Sequence, residues 1–165
     1  MSVQTSYEFK PRPAIEGNID NNSLLELVSK SAENEIGFGR AVVRGTDLDN
    51  QVKLPAGATP NFFGIAVRIL GLQNPNSGSG ERVSYLDKES VAVGTSGYFW
   101  VYTEQAVNAG DPVYYRHTAG AGGTDLGRFR KDADTATAGL ISGAKFETSR
   151  LDAGLVIVHI PPYRA

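Results

Sequence analysis

The chain has 165 residues, 41% hydrophobic and 21% charged, the composition of a folded globular domain and not of a disordered one. A formal charge of −2 supplies no field that would gather nucleic acid or an anionic membrane. The lack of any cysteine excludes disulfides, thiolate catalysis and cysteine-ligated metal centres, and no stretch approaches the ~18 apolar residues of a membrane helix.

Residues 1–22 have no sustained period. Tyr7, Phe9, Pro11, Pro13 and Ile15 alternate with polar residues, and the two prolines hold the stretch extended. No apolar run resembling a signal peptide occurs there, so the expectation is a protein made in the cytoplasm. The segment reads as an arm that orders on a partner, followed by one domain over residues 23–165. Ser23 to Glu33 supports two readings: Leu24, Leu25, Leu27 and Val28 share a helical face, while Leu25, Leu27 and Ser29 alternate with Glu26 and Val28 as in a strand. The extended form is favoured, because everything after it is β.

From Ile36 onward, short apolar runs are divided by turn residues. The expected strands are Phe38–Arg44, Val52–Leu54, Phe62–Leu70, Val83–Leu86, Ser90–Val93, Gly97–Tyr102, Val113–Arg116, Gly127–Lys131, Gly139–Ser142, Ala144–Glu147 and Gly154–Ile160. Residues 73–80 and 118–125, rich in glycine, serine and asparagine, read as loops. Nineteen glycines and eight prolines spread along the chain suit many tight turns. The class is all-β: a single β-barrel or jelly-roll-like sandwich with an extended N-terminal arm. Parallel βαβ units lack their crossover helices. In the run Gly97–Tyr102, large groups occupy both faces, so the strand is buried on both sides or presents one face to a partner.

Chemistry is hard to find. His117 and His159 lie far apart in sequence with no ligand cluster beside either, and no metal ligands or cofactor are expected. Asp47, Asp49 and Gln51 imitate a calcium loop, but Val52 replaces the turn glycine and no glutamate closes it, so a polar hairpin is the sounder reading. Gly120, Gly122 and Asp125 fail as a dinucleotide fingerprint, Gly139 to Lys145 has the wrong spacing for a phosphate loop, and no Gly-x-Ser-x-Gly occurs. Asp87 with Glu89 and Asp132 with Asp134 are spaced as in exposed loops, and Arg128, Arg130 and Lys131 read as a solvated basic cluster. The expected catalytic residues are none.

One phrase recurs, an Ala-Gly turn that opens a strand, at Ala56-Gly57, Ala109-Gly110 and Ala153-Gly154. The order of phrases is more specific. Ile36 to Val43, Phe63 to Val67, Tyr85 to Val93, Gly97 to Val101, Ala109 to Tyr114, Ala138 to Ile141 and Ala153 to Val158 follow in turn, after the leader Pro13 to Gly17. Over about residues 11–160 this series resembles the cement or head-decoration proteins of tailed bacteriophages. Each motif is simple, so the order and spacing carry the likeness.

The resemblance implies a small β-barrel or jelly roll on the outer capsid surface of the virion, partnered by the major capsid protein, stiffening contacts between coat subunits. It also implies self-association as a homotrimer. Tyr7, Phe9, Arg12 and Ile15 are then the candidate capsid contacts. Tyr98, Trp100 and Tyr102 are candidate subunit contacts, whose plainer reading is ordinary core. No nucleic acid, membrane or cofactor is implied. The alternatives are a tail, baseplate or glycan-binding fibre β-domain of a phage, and a small trimeric β-enzyme using His117 or Asp111.

Overall fold

A computed structural model describes residues 15–57, 61–69, 83–120 and 126–162. Eleven strands appear among them and no helix: β1 (Ile19–Ala32), β2 (Ile36–Gly37), β3 (Ala41–Arg44), β4 (Gln51–Lys53), β5 (Phe62–Ala66), β6 (Ser84–Tyr85), β7 (Ser90–Thr103), β8 (Pro112–Arg116), β9 (Phe129–Arg130), β10 (Ala138–Phe146) and β11 (Gly154–Ile160). The all-β class is therefore as expected, and the segment that read as helix or strand is strand.

Nine strands form one sheet in the order β1-β4-β3-β5-β7-β11-β10-β8-β9, with β7 also pairing both terminal strands; β2 and β6 pair separately. The hydrogen-bonding path thus closes twice. One circuit is β1-β4-β3-β5-β7 and the other β7-β11-β10-β8-β9, with β7 common to both. Each circuit contains one short parallel contact, Ser31 and Ala32 of β1 beside Gln51 and Val52 of β4, and Thr103 of β7 beside Phe129 of β9. Closure leaves few bare sheet edges.

β7 is continuous where the sequence predicts two strands. Gly94 pairs with Ile65 on one side and Leu27 on the other, and Ser96 pairs with Glu26, so the ladder never lapses. β10 likewise joins two expected strands across Gly143, whose φ of +77° accommodates a bulge.

Each circuit surrounds its own core. Val91 and Val93 of β7 pack with Ala32, Ile36, Phe38, Val42, Val52, Ala66 and Tyr85. Phe99 and Val101, further along the same strand, pack with Val113, Tyr115, Phe129, Phe146, Val156, Val158 and Ile160. β3 and β5 lie between the two: Val42 and Ala66 serve the first core, Ala41, Val43 and Ile65 the second. Those strands have little solvent face, which is why their sequences read as unbroken apolar runs. The polar hairpin expected at Asp47 is present, with that carboxylate accepting from the backbone N–H of Asp49 and Asn50 at 3.0 and 3.2 Å.

A partly buried ionic clasp holds the C-terminal end of β7. Glu104, one residue past the strand, accepts Arg116 Nε and Nη2 in a fork at 2.8 and 2.7 Å, and Arg130 Nη1 at 3.0 Å. Asp134 bridges the same two guanidiniums at 2.8 and 2.9 Å, and Asp132 takes Arg130 Nε at 3.0 Å. Arg130 is therefore not part of a solvated basic cluster: it and Arg116 are both buried, because closing the second circuit brings the ends of β7, β8 and β9 together. To present its carboxylate, Asp134 begins three successive left-handed residues, Asp134, Thr135 and Ala136, at φ 40, 55 and 63°. Such a turn costs about 1–2 kcal/mol per residue, and the ion pairs and the Thr137 hydroxyl donating to the Asp134 carbonyl offset it.

Glu104→Gln leaves two buried guanidiniums short of a carboxylate, and we expect a loss of about 3 kcal/mol in denaturant unfolding. Hydrogen bonds from Gln105 to Asp132 and from Arg116 to Asp134 hold both carboxyls below their ordinary value of 3.8. A depressed acid stabilises fully above its unfolded pKa and loses that contribution as pH falls through its folded one. The melting temperature should hold down to about pH 4 and then drop. Asp134→Asn should make that drop shallower.

Candidate functional site

Alternation along β7 sends Phe99 and Val101 into the core and Tyr98, Trp100 and Tyr102 outward. The three aromatics are half-buried and do not belong to either core, so the plainer reading of them as core does not hold. β11 adds a second outward row in strict register, Tyr98 opposite His159, Trp100 opposite Ile157 and Tyr102 opposite Leu155. The Tyr98 and His159 rings stack with centroids 4.5 Å apart at 16°. Together the two rows make an amphipathic face of the kind enriched at protein contacts.

Several of these side chains have partners within the fold. Trp100 Nε1 donates to Asp20 Oδ1 at 3.0 Å. The Arg128 guanidinium lies 4.2 Å above the Tyr102 ring, and Glu147 stands 4.0 Å from His159 Nδ1. Contacts of this kind restrict the rotamers of Trp100 and Tyr102, and preorganised side chains lower the entropy cost of any binding they take part in.

The chain enters the fold at the same place. Gly17 N–H donates to the Trp100 carbonyl and Trp100 N–H to the Asn18 carbonyl, both at 2.8 Å, while Arg68 N–H donates to the Gly17 carbonyl. Gly17, at φ +88°, crosses Gly39, at φ +71°, so closely that a Cβ on either would lie 2.7–2.8 Å from the other's backbone nitrogen. Only glycine fits both positions. Beside the crossing, burial pushes the Glu16 carboxyl up, partly opposed by the cations of Arg40 and Arg128. Ile15, the first described residue, is 47% exposed.

Of the candidate capsid contacts, Tyr7, Phe9 and Arg12 lie outside the described residues. Ile15 is described, and its neighbours Glu16 to Asn18 run alongside Trp100. Of the two candidate sets, Ile15 from the first and Trp100 from the second are thus brought near each other through the backbone of Gly17 and Asn18. Leu155 and Ile157 escaped notice in the sequence, although β11 signals them: its two faces are both apolar, so a strand with one core face needs cover on the other. His117 and Asp111 flank opposite ends of β8, six residues and roughly 20 Å apart, too far to share a reacting group. His117 is buried, with Nδ1 3.0 Å from the Thr118 hydroxyl.

A family model described as structural cement protein (E217 gp24/Pam3 gp6) matches residues 3–160. Among solved structures, a chain of the capsid of Myoviridae phage XM1 is similar with a TM-score of 0.74 at 18% identity, covering 99% of this chain and 100% of that one. The base of the head fibre protein gp8.5 of bacteriophage phi29 aligns at 13% identity and a TM-score of 0.49, covering 86% of this chain and 99% of that one. No curated protein sequence matches.

The two faces of β7 should separate in mutagenesis. Phe99→Ala empties a fully buried site and should cost about 3–5 kcal/mol of folding stability. Trp100→Ala, facing outward, should cost less than half as much in the same denaturant titration.

Proposed function

This chain belongs to the structural cement proteins of tailed phages, a component of the virion capsid, and from that premise we propose how it attaches. It docks on the outer surface of the head where major capsid subunits meet. Residues 1–15 lie along the coat, with Tyr7, Phe9, Arg12 and Ile15 making the contacts. The observation that carries this reading is the pinning of Gly17 and Asn18 to Trp100, which roots the arm beside a preorganised aromatic face. Arm and face can then bind as one continuous surface, so each raises the effective concentration of the other. The role is mechanical, without catalysis.

Tyr98, Trp100 and Tyr102, with Leu155 and Ile157, form the apolar centre of a contact with coat or with another copy, and the resemblance implies a homotrimer. A glycan-binding fibre module is less well supported. Its ligand would want aromatics on loops, whereas Trp100 is mid-strand with its indole N–H already given to Asp20.

Deleting residues 1–15 should leave the β domain folded, with an unchanged far-ultraviolet spectrum, and should abolish co-sedimentation with expanded heads that lack this protein. Binding by the truncated chain as tight as that of the full chain would overturn the arm's assignment. Light scattering of the purified full chain tests that homotrimer: three times the chain mass supports it, and any other mass contradicts it.

A further inference from the structure

β1 carries an edge that, over part of its length, no other described strand uses. β7 takes one side of it, pairing Leu27 to Ser31 with Gly94 to Ser90. On the other side β4 pairs only with Ser31 and Ala32. From Glu26 to Lys30, no described strand pairs with that second side. The window is bounded at its other end by a bulge: three extra residues separate Asn21 from Glu26 relative to β7, and Leu24 takes φ +56°. Leu25 is drawn inward against Gly97, where any Cβ would crowd it, and Leu24 is left 60% exposed. Leu27 and Val28, inside the window, are 47% and 37% exposed. An extended edge without a described strand partner, with two exposed apolar side chains between two charged ones, is a template for another strand.

We propose that the strand it takes is β1 of a second copy, antiparallel and centred on Val28. The charges select both partner and register. With Val28 opposite Val28 of the second copy, Glu26 faces Lys30 of the second copy and Lys30 faces Glu26 of the second copy, so both ends of the window form opposite-charge pairs. Centring the pairing on Glu26 or on Lys30 would oppose like charges. Centring it on Leu27 or Ser29 would leave one charge facing an apolar residue. A parallel arrangement in register would stack Glu26 on Glu26. The contact is isologous and closes as a two-fold dimer. The left-handed Leu24 bends each strand away just before it would meet β4 of the other copy, which limits the new ladder to this window. Lys30 also donates to the Asp49 carbonyl of its own chain and lies 5.8 Å from the Phe63 ring centroid, which holds its stem in place near the pairing edge.

This two-fold pairing replaces the homotrimer that the resemblance implies, does not depend on the attachment described above, and is tested on the purified full-length chain without capsids. The chain has no cysteine, so Val28→Cys introduces a single probe. Directly opposed residues of an antiparallel pair have Cα atoms roughly 4.5–5.5 Å apart, within disulfide reach. Mild oxidation should give a disulfide-linked dimer, whereas Leu48→Cys, more exposed in the β3–β4 turn, should stay unlinked. In sedimentation equilibrium, Glu26→Lys and Lys30→Glu should each weaken dimerisation by about tenfold or more, since each turns two attractive pairs repulsive. The double variant, which restores opposite charges across the axis, should recover the wild-type constant. A thermal melt of each variant shows that the fold is kept. A monomeric or trimeric wild type whose Val28→Cys variant does not cross-link would overturn the proposal, as would single charge variants that dimerise like the wild type.

Discussion

The fold depends on the pairing of β7 along its whole length. Along its fourteen residues this one strand pairs with β1 and β5 in its first half and with β1, β11 and β9 in its second, and this lets two closed circuits share a wall. Its first half supplies Val91 and Val93 to one core and its second half Phe99 and Val101 to the other. Two small cores joined in this way bury more of a modest chain than two separate barrels could, since the common strand needs no second partner surface. The ionic clasp at Glu104 and the backbone crossing at Gly17 and Gly39 secure the strand's C-terminal half from two sides.

The same strand carries the proposed contact surface. Because side chains alternate, a strand that fills a core with one face must present the other, and here that face is Tyr98, Trp100 and Tyr102. Rigidity and recognition are thus two consequences of one alternating sequence. A protein meant to resist force gains from this arrangement: a load applied at the aromatic face is taken up by a strand hydrogen-bonded on both edges, with no hinge between contact and core.

Much of this could be read from residues alone. The β class followed from turn spacing, and the ends of β11 matched because Gly154 and Pro161 punctuate it. The outward aromatics of β7 were visible as large groups on both faces. What sequence could not reveal depended on contacts distant along the chain. Gly94 and Ser96 look like a break between strands, and only their pairing to β1 and β5 keeps β7 continuous. Arg130 looks solvated until Glu104 and Asp134 are brought to it. The resemblance to cement proteins rested on the order of simple phrases, and the family match over residues 3–160 agrees with it. The register of the β1 edge is legible only once the strand is known to be a strand and its other side is known to be taken.

The central claim is that this chain serves as capsid cement. The most direct test is its copy number in purified virions, measured by quantitative mass spectrometry against the major coat protein. A cement that reinforces contacts all over the head should be present at near-stoichiometric abundance with the coat. A handful of copies per particle would contradict the account and move the protein to a tail or fibre.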